Sequence, residues 1–188
     1  MSLNQTYLPV ALCHQPGSIS NIFDKFNIAI AIITEHKLKE RSKSFLSTMH
    51  TNYNAYTTCE ESDSHCGKGG VSILYKQSLF FCIKHIFIPD CNRIAGVNLH
   101  VEDSFPIFLF AVYMPSLNYE IDEYINCMIQ LQGLNDSYTT EGIVLFCEDL
   151  NANITADMYD QRATTLRHFL QAKKTNNHNN QQQNPVHV

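Results

Sequence analysis

The chain has 188 residues, 44 % hydrophobic and 16 % charged, with a net charge of −5. That length holds one domain with a sizeable core. The negative balance argues against tight, charge-driven binding to nucleic acid, which needs a basic footprint, but leaves room for an enzyme that acts on phosphates with a divalent cation.

The N-terminal stretch MSLNQTYLPVALC lacks the basic start and long apolar core of a signal peptide. No apolar run reaches the roughly 18 residues needed to span a bilayer. The expectation is an intracellular protein with no membrane partner, the nucleus being one compartment open to it. Pro9, Pro16 and Gly17 read as breakers, and Asn21 to Phe26 as a short helix. Asn27 to Thr34, NIAIAIIT, is a continuous apolar run and reads as a buried, parallel strand. It delivers Glu35 and His36 at its C-terminal end. Lys37, Lys39, Arg41 and Lys43 follow and read as a solvated basic face. Residues 44–70 are polar, contain CEESDSHCGKGG and read as a loop.

Strands are predicted over Val71–Tyr75, Leu79–Ile88, Arg93–Val101 and Phe105–Tyr113, rich in Val, Ile, Phe and Tyr. Their short turns imply antiparallel pairing. Asn118 reads as the N-cap of a helix with Ile121, Ile125, Met128 and Ile129 inward and Gly133 as its stop. The run GIVLFC over 142–147 reads as a buried strand that stops at Asp149, Leu150 and Asn151. On an extended segment, Asp149 and Asn151 would point the same way. Asp160 then caps a helix with Ala163, Leu166, Phe169 and Leu170 inward, and residues 173–188 form a polar tail with almost nothing to bury. The seven cysteines form no CxxC pair, and Cys82, Cys127 and Cys147 sit in apolar runs. That usage fits reduced thiols rather than a disulfide framework.

Strand ends therefore carry Glu35, Tyr113, and Asp149 with Asn151. If they converge, Glu35 and Asp149 make a hard, oxygen-rich site suited to Mg²⁺ or Mn²⁺. Taken singly, each is also an ordinary turn residue. Other groupings carry less. Cys59, His65 and Cys66 share a loop, but their spacing matches no ordinary zinc finger. Gly67-Lys68-Gly69-Gly70 lacks the phosphate-loop spacing and precedes a strand, so it reads as a turn. Among the histidines, His36 alone adjoins the expected site.

In chain order, Ser2-Leu3-Asn4, Ala31-Ile32-Ile33-Thr34-Glu35-His36, Gly69-Gly70-Val71-Ser72-Ile73-Leu74, Arg93-Ile94-Ala95-Gly96-Val97, Ala111-Val112-Tyr113-Met114-Pro115 and Cys147-Glu148-Asp149-Leu150-Asn151-Ala152 resemble the motifs of the endonuclease/exonuclease/phosphatase superfamily, whose fold is deoxyribonuclease I-like. Within it, the likeness is to the endonuclease domain of non-LTR (LINE-type) retrotransposons. The resemblance covers roughly residues 1–172 and implies a two-sheet α/β sandwich, incomplete at its C-terminal end. It implies metal-dependent phosphodiester cleavage with DNA as substrate. Glu35 would bind Mg²⁺ or Mn²⁺ with Asn4 nearby, Asp149 would orient or activate the attacking water, and Asn151 and Tyr113 would contact the scissile phosphate. The sequence departs from the family in three places. Glu148 stands where the family has Gly, Asn4 is not followed by Gly, and no late Asp-His pair is present. The expectation is a weak or inactive enzyme. The alternatives are a non-catalytic remnant that binds nucleic acid or a protein partner, and a phosphatase on the same fold.

Overall fold

The computed structural model of the chain describes residues 9–11, 16–59, 69–89, 91–100, 102–153, 155 and 160–171. Asn4, His65, Cys66 and the 173–188 tail lie outside them. These residues form two units, Met1–Met114 with Ser137–Leu150, and Pro115–Asp136 with Asn151–Val188.

The first unit is built on alternation. In β2 (Ile30–Thr34), Ile30 and Ile32 face one side, and Ala31 and Ile33 the other. Both sides are apolar because both are covered. Around β2 lies a four-stranded sheet with β1 (Pro9–Ala11), β3 (Tyr53–Thr58) and β4 (Val71–Lys76), in the order β1-β2-β4-β3. β2 runs parallel to β1 and antiparallel to β4. The outer face of this sheet carries Ala31, Ile33, Tyr53 and Leu74. Packed on it are Ile19 and Phe23 of α1 (Pro16–Phe26) and Leu46 of α2 (Phe45–Thr48).

A second sheet has the order β5-β6-β7-β8. Its strands are β5 (Ile83–Ile86), β6 (Ile94–Leu99), β7 (Ile107–Tyr113) and β8 (Ile143–Asp149). The first three pair antiparallel, and β8 joins β7 in parallel. The sheets pack face to face through Ile30, Ile32, Val71, Ile73 and Tyr75 on one side and Ile83, Ala95, Val97, Leu109, Ala111 and Tyr113 on the other. This is a two-sheet α/β sandwich. On the outer face of β7, Phe108 and Phe110 pack against Tyr138, and Phe110 stacks on Phe146.

Several sequence expectations are corrected. Pro16 and Gly17 do not break structure but open α1, where the missing proline N–H is harmless. Residues 44–70 are not one loop, for they contain α2 and β3. Strand β3, YNAYTT, escaped because only part of it is apolar. The predicted strand at 79–88 shrinks to β5, preceded by a 3₁₀ turn over Gln77–Cys82 that carries the chain from one sheet to the other. So β4 and β5 do not pair, despite their short connection. The expected buried strand at 142–147 is an edge strand, with Ile143 51 % and Leu145 39 % exposed.

In the second unit, α3 (Ile121–Tyr138, its last two residues in the first unit) runs straight through Gly133. Nothing lies near that glycine for a side chain to strike. The inward face is Tyr124, Cys127, Met128, Leu131 and Asn135, not the isoleucines, and Ile129 is exposed. A last helix, α4, covers 161–171. Asp160 caps it as expected: the Ala163 N–H donates to its Oδ1 at 3.0 Å. Ala163, Leu166 and Phe169 are buried. The Arg162 guanidinium is buried too, and donates to the carbonyls of Pro115 (2.6 Å) and Tyr119 (2.8 Å) while lying over the Tyr124 ring.

Candidate active site

Register brings the strand ends of the first unit together. Tyr113 and Asp149 are the last partners of the β7–β8 pairing, and the Met114 N–H donates to the Asp149 carbonyl at 2.9 Å. Adjacent strands lie about 4.8 Å apart, so these residues sit side by side at one end of the sheet. Across the sandwich, Thr34 at the end of β2 pairs with Val71 at the start of β4. Glu35 and Gly70 therefore continue from neighbouring strands at that sheet's rim.

Gly69 joins the two rims. Its carbonyl accepts the Lys37 N–H at 2.9 Å, and a side chain on it would meet the Tyr113 ring at 3.6 Å. The Arg93 guanidinium lies over the same ring, 5.9 Å from its centre, and the Arg93 carbonyl accepts the Tyr113 N–H at 2.9 Å. Glu35, Tyr113 and Asp149 thus belong to one rim of one unit. Asn151 belongs to the second unit, past the end of β8, with a φ of +45°. The alternation expected to align it with Asp149 does not extend to it, since the backbone has left the strand. Asn4 lies outside the described residues.

The turn after β2 is conformationally unusual. Glu35 and Lys37 have φ of +54° and +55°, a region that costs an ordinary residue about 1–2 kcal/mol. Between them sits His36. Its Nδ1 accepts the Leu38 N–H at 3.1 Å, so its Nε2 carries the proton and donates to the Thr58 carbonyl at 3.2 Å. The imidazole fills the space a side chain on Gly70 would need, and Gly70 has a φ of +87°. Burial holds the His36 pKa below its ordinary value, against the pull of its backbone hydrogen bonds. His36 is thus a neutral bracket joining the ends of β2, β3 and β4 within one sheet, with both nitrogens engaged.

That bracket turns Glu35 outward. Its side chain is 46 % exposed, with Lys37 Nζ 3.2 Å away. Among the described residues, no group of three His, Cys, Asp or Glu is placed to hold a metal ion. Glu35 still fits Mg²⁺ chemistry, because that ion commonly takes one or two carboxylates and completes its shell with water and phosphate. Cys59 does not suit a metal: burial pushes its thiol up to about 11, helped by Glu40 and opposed by Lys43.

Glu148, which stands where the family has glycine, lies inside β8 opposite Val112 and has no left-handed φ. Alternation puts its side chain on the face away from Asp149. Sequence reasoning missed Gly69 as the link between rims and Arg93 beside Tyr113. The Gly-Gly pair before β4 was the available signal for the first.

No family profile and no characterised protein sequence matches the chain. Solved structures do. The endonuclease domain of TRAS1, a telomere-specific non-LTR retrotransposon, superposes with a TM-score of 0.60 at 15 % identity, over 88 % of this chain and 69 % of that one. The AP endonuclease LMAP from Leishmania major gives 0.64 at 13 % identity, over 82 % and 60 %. An AP endonuclease from Archaeoglobus fulgidus gives 0.59 at 12 %, over 84 % and 65 %. The chain has the two-sheet, deoxyribonuclease I-like fold of these structures. It spans less than two thirds of the length of either AP endonuclease.

Proposed function

We propose that this chain carries a divalent-metal-dependent phosphodiesterase site of the retrotransposon-endonuclease type that acts on DNA. The observation that supports the reading is Gly69, which links the turn carrying Glu35 to Tyr113, the strand partner of Asp149, in a fold shared with structures named as endonucleases. Glu35, with Asn4, would hold Mg²⁺ or Mn²⁺, which supplies charge stabilisation at a phosphoryl oxygen. Asp149, exposed at the end of β8, is the group to orient the attacking water and take its proton. Tyr113, backed by Gly69 and Arg93, would fix the scissile phosphate, the role that the family resemblance also implies for Asn151. The thiols of Cys59, Cys82, Cys91 and Cys147, which form no disulfide, support a reducing, intracellular setting.

The rate is expected to be low. His36, which adjoins Glu35, has both nitrogens engaged and cannot relay a proton. Asp149 would work without a neighbouring imidazole from that turn. The test is nicking of supercoiled plasmid by the chain in Mg²⁺. Slow nicking that stops with EDTA, Glu35→Ala or Asp149→Asn is the expected result. Nicking that survives those substitutions sinks the assignment. The absence of both nicking and calorimetric Mg²⁺ binding would leave the non-catalytic, nucleic-acid-binding reading.

A further inference from the structure

The turn between β5 and β6 displays Phe87, which is 83 % exposed. Register fixes its place. Ile86 pairs with Gly96, Ile94 with Val112, and Tyr113 with Asp149. Residues 87–89 and 91–93 therefore lie at the same end of the sheet as Tyr113 and Asp149. β5 lies two strands from β7, about 10 Å at the usual spacing. That is about three base steps of 3.4 Å.

The turn is fastened at both ends from the opposite sheet. Tyr56 Oη donates to the Ile86 carbonyl at 3.1 Å, and Thr58 Oγ1 donates to the Asn92 carbonyl at 3.0 Å. Both are inward residues of β3. Tyr56 is itself stacked on His85, ring centres 4.2 Å apart and 16° between planes. His85 Nε2 lies 3.0 Å from Tyr75 Oη. Phe87 is thus an aromatic ring held out on a rigid mount, which gives up little freedom on binding.

Lys84 is exposed on β5, and Arg93 closes the turn beside Tyr113. An exposed ring at the same end of the sheet as the proposed phosphate-handling rim suits a stacked base, because every base presents a π-face. Phe105 offers an internal comparison. It is 77 % exposed but lies in the β6–β7 turn, where Leu99 pairs with Ile107, at the opposite end of the sheet.

We infer that Phe87 is a base-stacking wedge for the nucleic-acid substrate, contacting a base about three steps from the scissile phosphate. The inference rests on the proposed phosphodiesterase reading and narrows its substrate to DNA whose bases can unstack. Flexible pyrimidine–purine steps and single-stranded stretches are such DNA.

The chain has no tryptophan, so Phe87→Trp makes a unique reporter. In an Asp149→Asn background, which prevents cleavage, the probe is a 20-mer duplex with a central TA step, alongside a single strand of the same sequence. DNA should quench the Phe87→Trp fluorescence but not that of Phe105→Trp. Phe87→Ala should weaken binding about tenfold with an unchanged thermal midpoint, and Phe105→Ala should bind as the parent does. Unquenched Phe87→Trp at saturating DNA, parental affinity in Phe87→Ala, or no DNA binding at low salt overturns the inference. So does quenching that rises with protein concentration alone, which would mark a contact between copies. Metal-dependent nicking without quenching removes only the wedge. Quenching without nicking removes only the catalytic reading.

Discussion

Two left-handed residues enclose one buried imidazole at the end of β2, and the consequences are measurable residue by residue. Strain of this kind survives only where the surroundings impose it. Glu35→Gly should gain about 1 kcal/mol of stability in urea, because glycine adopts that φ freely, while losing metal-dependent nicking. Gly70→Ala should lose about 3 kcal/mol, since the new methyl group collides with the His36 ring at a φ that alanine resists. His36 also sets a pH response. Its folded pKa lies below the unfolded value of 6.5, so the unfolded chain takes the proton first. The contribution is complete above pH 6.5 and is lost as pH falls through the lower folded pKa. His85, also lowered by burial, acts in the same sense. Urea midpoints should therefore decline from pH 7.5 to 5, and the decline should shrink in His36→Gln.

Elements differ in how much of them the sequence disclosed, and the physical reason is which faces are covered. β2 is apolar on both faces because both are buried, so its run of isoleucines announced it. The capped start of α4 was equally plain, with Asp160 ahead of an apolar stripe. β3 stayed hidden because Tyr56 and Thr58 spend their hydroxyls on cross-sheet hydrogen bonds, so its inner face reads as polar in the sequence. β8 was misplaced for the opposite reason: an apolar run states composition, not how many neighbours a strand has. The strand ends at Glu35, Tyr113 and Asp149 were legible, but the approach of Gly69 to Tyr113 was not, since it joins residues far apart in sequence. The edge position of β8 has a measurable cost. Ile143→Lys with Leu145→Lys should change stability by less than about 1 kcal/mol while reducing self-association in light scattering. Leu109→Ala, in the buried neighbour β7, should cost about 3 kcal/mol. In the second unit, Arg162→Ala should cost a similar amount, because two carbonyls lose their donor.

For the whole molecule, a net charge of −5 over 188 residues sets the terms of any encounter with DNA. Few cations are available at the rim, so the logarithm of affinity should fall with the logarithm of salt at a slope of about −3 or shallower, as filter binding would measure. The parallel pairing of β7 with β8 has a further consequence. Tyr113 and Asp149 are neighbours only while a solvent-flanked outer strand stays docked, and their partnership closes a connection that runs through α3. Such strands open locally at a fraction of the global unfolding free energy. In amide hydrogen exchange, β8 should release its protons well before β6 and β7. The chemistry assigned to this rim would then be lost by brief fraying of one strand while the rest of the sandwich remains intact.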